Sequence, residues 1–230
     1  MIVEIKNIVY RSGYVKLEKN IWVHKDSAKG CKNFVDKIKS DLKTIDSKPV
    51  GHRLIKRIKG SDHPIYIHFN ASENCAAAHN GPRSRMRDFG CATTVFYNPD
   101  KPSSLYDING KVTKYPTWTS LAHEMIHAYH NQNGKNYTNR QCKVDKAIWS
   151  NAEEYHTMMG FPSKNPYRSP KRPKISQYAI HLEHNIVPRF GHIGHHPLDK
   201  HGWHAIATCA KAQRIANESA GNPAIPVLLT

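Results

Sequence analysis

The sequence has few acidic residues, no long apolar run and no paired-cysteine motif. Its 230 residues contain 18 Asp and Glu against 34 Lys and Arg, a formal net charge of +16 with all 16 histidines neutral. No apolar run approaches the roughly 18–20 residues that a membrane-spanning helix needs, so we do not expect a membrane protein. The N-terminal stretch MIVEIKNIVY has Glu4 and Lys6 where a Sec signal peptide has its unbroken apolar core, so Sec-dependent export is not expected.

The cysteines argue against a cysteine-based scaffold. They are five, an odd number, widely spaced and without a CxxC pair, so neither a disulfide framework nor a cysteine zinc site is expected. Free thiols in a reducing compartment are the simpler interpretation. The five are Cys31, Cys75, Cys91, Cys142 and Cys209.

The positive charge is spread along the chain and favours an acidic partner only in general terms. Its densest clusters, at 52–59 and 171–174, are short. A solvated helix face and a basic loop account for both, so nucleic acid is not an expected partner.

Alternating and helical patterns predict an α+β fold. Strands with alternating apolar and polar residues are predicted at 2–10, 14–24, 64–70 and 92–97. The first two should form a hairpin around Gly13, and 72–88 should be a loop. Helices with apolar residues at helical spacing are predicted at about 28–46, 49–59 and 200–220. Neither a repeat nor a linker is present, so a single domain is expected over 1–230, with a hairpin and helices in 1–60 and the core in 64–220.

The segment YPTWTSLAHEMIHAYHNQNG predicts a helix that carries a metal motif. Pro116 suits its first turn and Gly134 its C-terminal end. His123 and His127 stand one turn apart and only about 40° apart around the helix axis, so both imidazoles can reach one ion. Neutral imidazole suits Zn²⁺, and Glu124 on the adjacent flank can take a proton from water at the metal.

A catalytic zinc needs a third protein ligand and an open position. Glu153 and Glu154, in the segment NAEEYHTMMG, follow His127 by 26 and 27 residues, a separation that lets a second helix return to the metal. Paired glutamates at a helix start are also favoured by the helix dipole alone. Beside an HExxH motif we expect one of the two to be a ligand, and the residues alone do not decide which.

HEMIHAYH followed by EEYHTMMG resembles the glutamate-zincin pattern of botulinum neurotoxin light chains, and more closely that of the NleD-like family of bacterial type III effector metallopeptidases. The family's next element, an ENxIRxExGxPxRxxY-like stretch, corresponds to ISQYAIHLEHNIVPRFGH at 175–192. The resemblance covers about residues 90–192. It implies a zincin-type fold, in which a small mixed sheet accompanies the HExxH helix and a second helix carries the third ligand.

The resemblance also implies roles for single residues. His123 and His127 would be zinc ligands and Glu124 the general base. Glu154 would be the third ligand, and Glu153 would orient a ligating histidine without touching the metal. The reverse assignment of the two glutamates stays open.

Arg189 matches the family's arginine, which helps to stabilise the oxyanion of the tetrahedral intermediate. Two departures from the family pattern stand out. The tyrosine three residues after that arginine is His192 here, and the TxG spacing is one residue longer, at 157–160. A protonated histidine can donate to an oxyanion as a tyrosine does, so His192 is a candidate catalytic residue.

The predicted function is therefore that of a zinc-dependent endopeptidase, a bacterial effector that cleaves a host protein such as a signalling kinase. The substrate would present an acidic or extended segment, which the strand 92–97 would pair with by β-augmentation. By resemblance, the protein would be secreted by a type III-like route and act in the host cytoplasm as a virulence factor or toxin. We expect a monomer.

Two other functions stay open. One is a basic nucleic-acid-binding protein whose HExxH is structural or accidental, and the other is a metal-dependent nuclease toxin. Neither explains why Glu124, the glutamate pair and Arg189 occur in zincin order. The histidines at 192–204 could form a second metal site, although surface histidines are the simpler interpretation.

Overall fold

The computed structural model describes residues 13–107, 109–138, 149–160, 174–189 and 191–192. Packing of the Cα atoms divides the chain into two compact units. Unit 1 comprises Met1–Ser47, His52–Pro102 and Pro116–Asn136, and unit 2 comprises Lys48–Gly51, Ser103–Tyr115 and Tyr137–Thr230. A single catalytic domain over 1–230 stays a prediction.

The described residues form seven strands, six α-helices and one 3-10 helix. The strands are β1 (Tyr14–Glu18), β2 (Ile21–His24), β3 (Ile65–Phe69), β4 (Cys75–Ala78), β5 (Thr93–Tyr97), β6 (Ser103–Tyr106) and β7 (Val112–Tyr115). The helices are α1 (Phe34–Asp46), α2 (Pro49–Lys59), α3 (Gly81–Ser84), α4 (Thr117–Gln132), α5 (Ala152–Met159) and α6 (Gln177–Glu183), with a 3-10 helix at Lys25–Lys29. None of these helices combines the length and the apolar character needed to cross a bilayer.

Unit 1 is built on a five-stranded mixed sheet with the order β1-β2-β3-β5-β4. The three central strands are parallel, and β1 and β4 run antiparallel at the two edges. Alternation of side chains along the strands produces one fully buried face, because successive residues point to opposite sides of a sheet. That face carries Ile21, Val23, Ile65, Ile67, Val95 and Tyr97.

The amino-acid pattern of helix α1 determines which of its side chains are buried. Phe34, Ile38, Leu42 and Ile45 recur at helical spacing and are buried; the predicted helix is confirmed from Phe34 onward, about six residues after its predicted start. On the next flank of the helix, Asp41 accepts a 2.8 Å hydrogen bond from the Tyr97 hydroxyl at the end of β5. Burial raises the pKa of the Asp41 carboxyl, and the Tyr97 bond opposes that rise.

Helix α4, which carries the HExxH motif, packs against β4, β5 and α1. Twelve of its 16 residues are buried, far more than in a surface helix with one apolar stripe. Its C-terminal end is closed by glycines: Gly134 has φ +61°, and a Cβ there would come within 1.8 Å of the Met86 carbonyl oxygen. A Cβ on Gly90 would likewise come within 2.0 Å of the Gln132 carbonyl oxygen. The turn that ends α4 therefore packs backbone against backbone, which only glycine permits.

Unit 2 contains the antiparallel pair β6–β7 and the helices α5 and α6, which pack against each other. Trp149 and Met158 form a buried apolar cluster with Tyr106, Tyr155 and Met159 packed around it. The start of α6 is capped by the Ser176 hydroxyl, which accepts from the backbone N–H of Ala179 at 3.2 Å. At its end, the Glu183 carboxylate accepts hydrogen bonds from the backbone N–H groups of Val50 and Gly51.

The predicted fold class is confirmed: an α+β chain with a small mixed sheet, an HExxH helix and a second helix that carries the paired glutamates. The helix 49–59 and the strands 64–70 and 92–97 are also confirmed, within a residue or two at each end. The predicted strand 2–10 and closing helix 200–220 lie outside the described residues.

Two predictions are wrong. Residues 14–24 are two strands, because the chain reverses at Asn20, whose φ is +65°. Residues 72–88 are not all loop, since β4 and α3 lie within them. In addition, the sequence pattern predicts neither β6 nor β7. These strands are short, and each depends on a partner strand that the local pattern does not reveal.

Candidate active site

Helix α4 directs the two histidines of the motif toward one point. The Nε2 atoms of His123 and His127 lie 3.0 Å apart, and the two rings are nearly perpendicular. Both side chains and the intervening Glu124 are buried, with 5%, 7% and 6% of their residue surfaces exposed. Buried polar groups of this kind must be satisfied by partners, so the burial indicates a built site and not a solvated helix face.

Glu124 also acts electrostatically on strand β4. Burial raises the pKa of the Cys75 thiol, and the negative charges of Glu124 and then of Glu73 raise it further. The carboxylate of the proposed general base is therefore close to the edge strand of the sheet. The sequence contains no signal for this neighbourhood, because Cys75 lies 49 residues before Glu124 in a segment without clear periodicity.

Helix α5 presents the two glutamates differently. Asn151 caps the helix by accepting from the Glu154 backbone N–H at 3.0 Å. Glu153 is 2% exposed, and its carboxylate accepts from the Tyr137 backbone N–H at 2.8 Å and from the Thr157 hydroxyl at 3.3 Å. Thr157 is the threonine of the predicted TxG element, so that element serves to hold Glu153.

Glu154 lies beside His192. Its Oε2 atom is 3.3 Å from His192 Nε2, and His192 Nδ1 is 2.5 Å from the Ser150 hydroxyl oxygen. Both side chains keep part of their surface exposed, 16% for Glu154 and 31% for His192. Unit 2 therefore brings together two of the predicted site residues, and of the two glutamates it buries Glu153 more deeply.

Arg189 follows helix α6 and is held at both ends. Its backbone forms an antiparallel bridge with Asp107, just after β6. Its guanidinium Nε and Nη2 groups donate to the Met158 sulfur at 3.3 and 3.1 Å. Met158 stands in the predicted motif NAEEYHTMMG, but nothing in that motif indicated a contact with the arginine.

Comparison with known protein families shows to which family this chain belongs. The model of the peptidase M91 family, described as "Effector protein", matches residues 24–189, which include the HExxH helix, both glutamates and Arg189. The chain belongs to the peptidase M91 family. The predicted NleD-like resemblance is thereby confirmed, and the matched region is wider than the 90–192 on which it was based.

Solved structures and curated sequences give a further comparison for this M91 peptidase. A crystal structure of the Clostridium botulinum neurotoxin serotype F light chain aligns with a TM-score of 0.47 at 16% identity, over 63% of this chain and 56% of that one. A crystal structure of the catalytic domain of the same serotype aligns with a TM-score of 0.49 at 12% identity, over 94% of this chain and 65% of that one. The M91 chain thus covers less than two thirds of either. No curated protein sequence matches it.

Proposed function

We propose that this M91 family member is a zinc-dependent endopeptidase, a bacterial effector that acts on a host protein. The observation that carries the proposal is the convergence of the His123 and His127 Nε2 atoms, 3.0 Å apart on a buried helix with Glu124 beside them. Binding of nucleic acid through a basic surface does not require this arrangement.

The chemistry of the donor set fits zinc. Two imidazole nitrogens bound to one tetrahedral zinc at about 2.0–2.1 Å lie about 3.3 Å from each other. The separation between the His123 and His127 nitrogens is close to this value. Two histidines and one carboxylate, with one open position, are the ligands of many catalytic zinc sites.

Glu154 is the third ligand in this proposal. Glu153 already accepts from Tyr137 and Thr157, and it is nearly fully buried. Glu154 is the more exposed of the pair, and its Oε2 atom lies 3.3 Å from the Nε2 atom of His192, a titratable side chain. Glu153 would then orient a ligating histidine, as such carboxylates do in other zinc sites.

The chain's own groups supply the steps of peptide hydrolysis. Zinc, when bound, would contribute Lewis acidity, which polarises the scissile carbonyl and lowers the pKa of a water molecule toward about 7. Glu124 takes the proton from that water and later delivers it to the leaving amine. The Arg189 guanidinium stabilises the negative charge that develops on the carbonyl oxygen, and His192 is the second candidate donor.

An extended substrate would bind along β4. The expectation that the strand 92–97 pairs with substrate is wrong, because β5 lies between β3 and β4 and both of its edges are occupied. β4 is the last strand of that sheet, contacts α4, and lies near the Glu124 carboxylate. An added strand would use its outer edge.

N-methylation of successive amides in a cleaved peptide should then weaken binding at every second position. Loss of binding without such alternation would contradict this mode.

The family's description as effector proteins supports a substrate in a host cell. We propose that the substrate is a host protein with an acidic or extended segment, and that a monomeric enzyme, delivered by a type III-like route, cleaves it in the host cytoplasm. The net charge of +16 is consistent with an acidic partner surface. Cleavage that slows as salt is added would support this, whereas salt-independent cleavage would remove the electrostatic argument.

Zinc content tests the proposal first. Purified protein should contain one zinc per chain by mass spectrometry, and His127→Ala should lose it. His52→Ala is the matched control, because His52 is an exposed histidine on α2, paired with Asp46 at 3.0 Å. Zinc that is absent from the wild type, or that survives His127→Ala, would refute the metal centre and move attention to the C-terminal histidines and to nucleic acid.

A further inference from the structure

The guanidinium of Arg189 contacts the sulfur atom of Met158. Two of its N–H groups, Nε and Nη2, form a fork around the Met158 thioether at 3.3 and 3.1 Å. A thioether is neutral and only a weak acceptor. The contact therefore orients the plane of the guanidinium without placing a negative charge against it, as a bidentate carboxylate would.

Met158 is buried and lies on the same helix as Glu154. It is 1% exposed and packs with Trp149 in the apolar cluster of unit 2. It also lies four residues after Glu154 on α5, so the two side chains are neighbours on one face of the helix. One short helix thus holds both the proposed third ligand and the sulfur that contacts Arg189.

The backbone of Arg189 has a separate anchor. Its bridge partner Asp107 accepts from the backbone N–H groups of Asn109 and Lys111 and from the Thr113 hydroxyl, which binds its carboxylate to the β6–β7 turn. Arg189 still acts as a positive charge in this region: burial and the Asp107 charge raise the pKa of the Tyr115 hydroxyl, and Arg189 lowers it.

We propose that Met158 is a positioning residue for Arg189: the contact with its thioether fixes the direction of the guanidinium toward the oxyanion. This inference rests on the proposed function, in which Arg189 stabilises the transition state. Since that charge develops only in the transition state, misdirection of Arg189 should lower kcat and leave KM unchanged.

The test compares Met158→Leu with Met159→Leu. Leucine retains most of the apolar volume and removes the acceptor, and Met159 is a neighbour on the same cluster without a contact to Arg189 among those described. We expect kcat for a cleaved peptide to fall about three- to tenfold in Met158→Leu, the range for one modest hydrogen bond, with KM and zinc content unchanged. Met159→Leu should match the wild type.

A second readout does not need the loaded enzyme. In zinc-free protein labelled with ¹⁵N-arginine, the Nε–H of Arg189, assigned with Arg189→Lys, should exchange with water about three- to tenfold faster in Met158→Leu than in Met159→Leu. Equal exchange rates, or equal kcat values, in the two leucine variants would overturn the inference. If instead Arg189→Lys cleaves as fast as the wild type, the role of Arg189 in the proposed function fails as well, so the two failures are distinguishable.

Discussion

The second face of the unit 1 sheet carries histidines that should make the protein sensitive to acid. His68 on β3 shares a 2.8 Å hydrogen bond with the Tyr14 hydroxyl on β1 and stacks on His24 of β2, with ring centroids 4.6 Å apart. Phe96 of β5 packs against it from the other side. Burial, and then the charges of His24 and His79, lower the pKa of His68 from its ordinary 6.5 to about 4.

The sign follows from linkage between proton binding and folding. The folded chain binds this proton less readily than the unfolded chain between about pH 6.5 and 4, so stability falls as the pH decreases through that window. A pKa difference of 2.5 corresponds to at most about 3.4 kcal/mol, at 1.36 kcal/mol for each pKa unit. The side chain is only partly buried, so screening by solvent reduces the expected contribution to about 1–2 kcal/mol.

Urea unfolding at pH 7.0 and pH 4.5 measures this contribution. His68→Phe keeps an aromatic ring against His24 but cannot titrate, whereas His52→Phe removes an exposed histidine and serves as the control. Between the two pH values the wild type and His52→Phe should each lose about 1–2 kcal/mol more than His68→Phe. Some dependence should persist in that variant, because burial also lowers the pKa of His79. An identical loss in all three proteins would refute the reasoning.

Three further predictions concern the site and its support. Glu124→Gln should retain zinc and lower the rate of peptide cleavage by about 10²- to 10⁴-fold, whereas Glu73→Gln should cleave like the wild type. In competition with a fluorescent chelator, Glu154→Gln should lose more than about 100-fold in zinc affinity and Glu153→Gln about 10- to 100-fold; the opposite order would reverse their roles. Gly134→Ala should lower the free energy of unfolding by about 2–4 kcal/mol, because its φ of +61° and a backbone contact leave no room for a Cβ. A change below 0.5 kcal/mol in urea unfolding, on the order of a surface substitution, would contradict that argument.

Sequence patterns were sufficient where one element carries its own signal. The spacing of Phe34, Ile38 and Leu42 predicted α1, and the HExxH spacing predicted both α4 and the convergence of His123 with His127. In these cases the period of the helix determines which side chains share a face, and no distant contact is required.

Patterns failed where an element depends on a partner far away in the chain. β4, with the sequence CAAA, has weak intrinsic preference for a strand and forms by pairing with β5. For the same reason the sequence revealed that 92–97 is a strand but not that it lies inside the sheet, and so it suggested the wrong edge for substrate. Hydrogen-bond partners of a strand are a property of the sheet and not of the strand.

The amino-acid sequence by itself determined the family, the fold class and the chemical types in the candidate site, because motif spacing and side-chain identity are local properties. Only the tertiary structure distinguished the environments of the two glutamates, placed the Glu124 charge near Cys75 on β4, and set the Met158 sulfur against Arg189. Burial, electrostatic shifts and contacts between residues 31 positions apart arise when separate segments pack together, and the order of residues along the chain does not contain them.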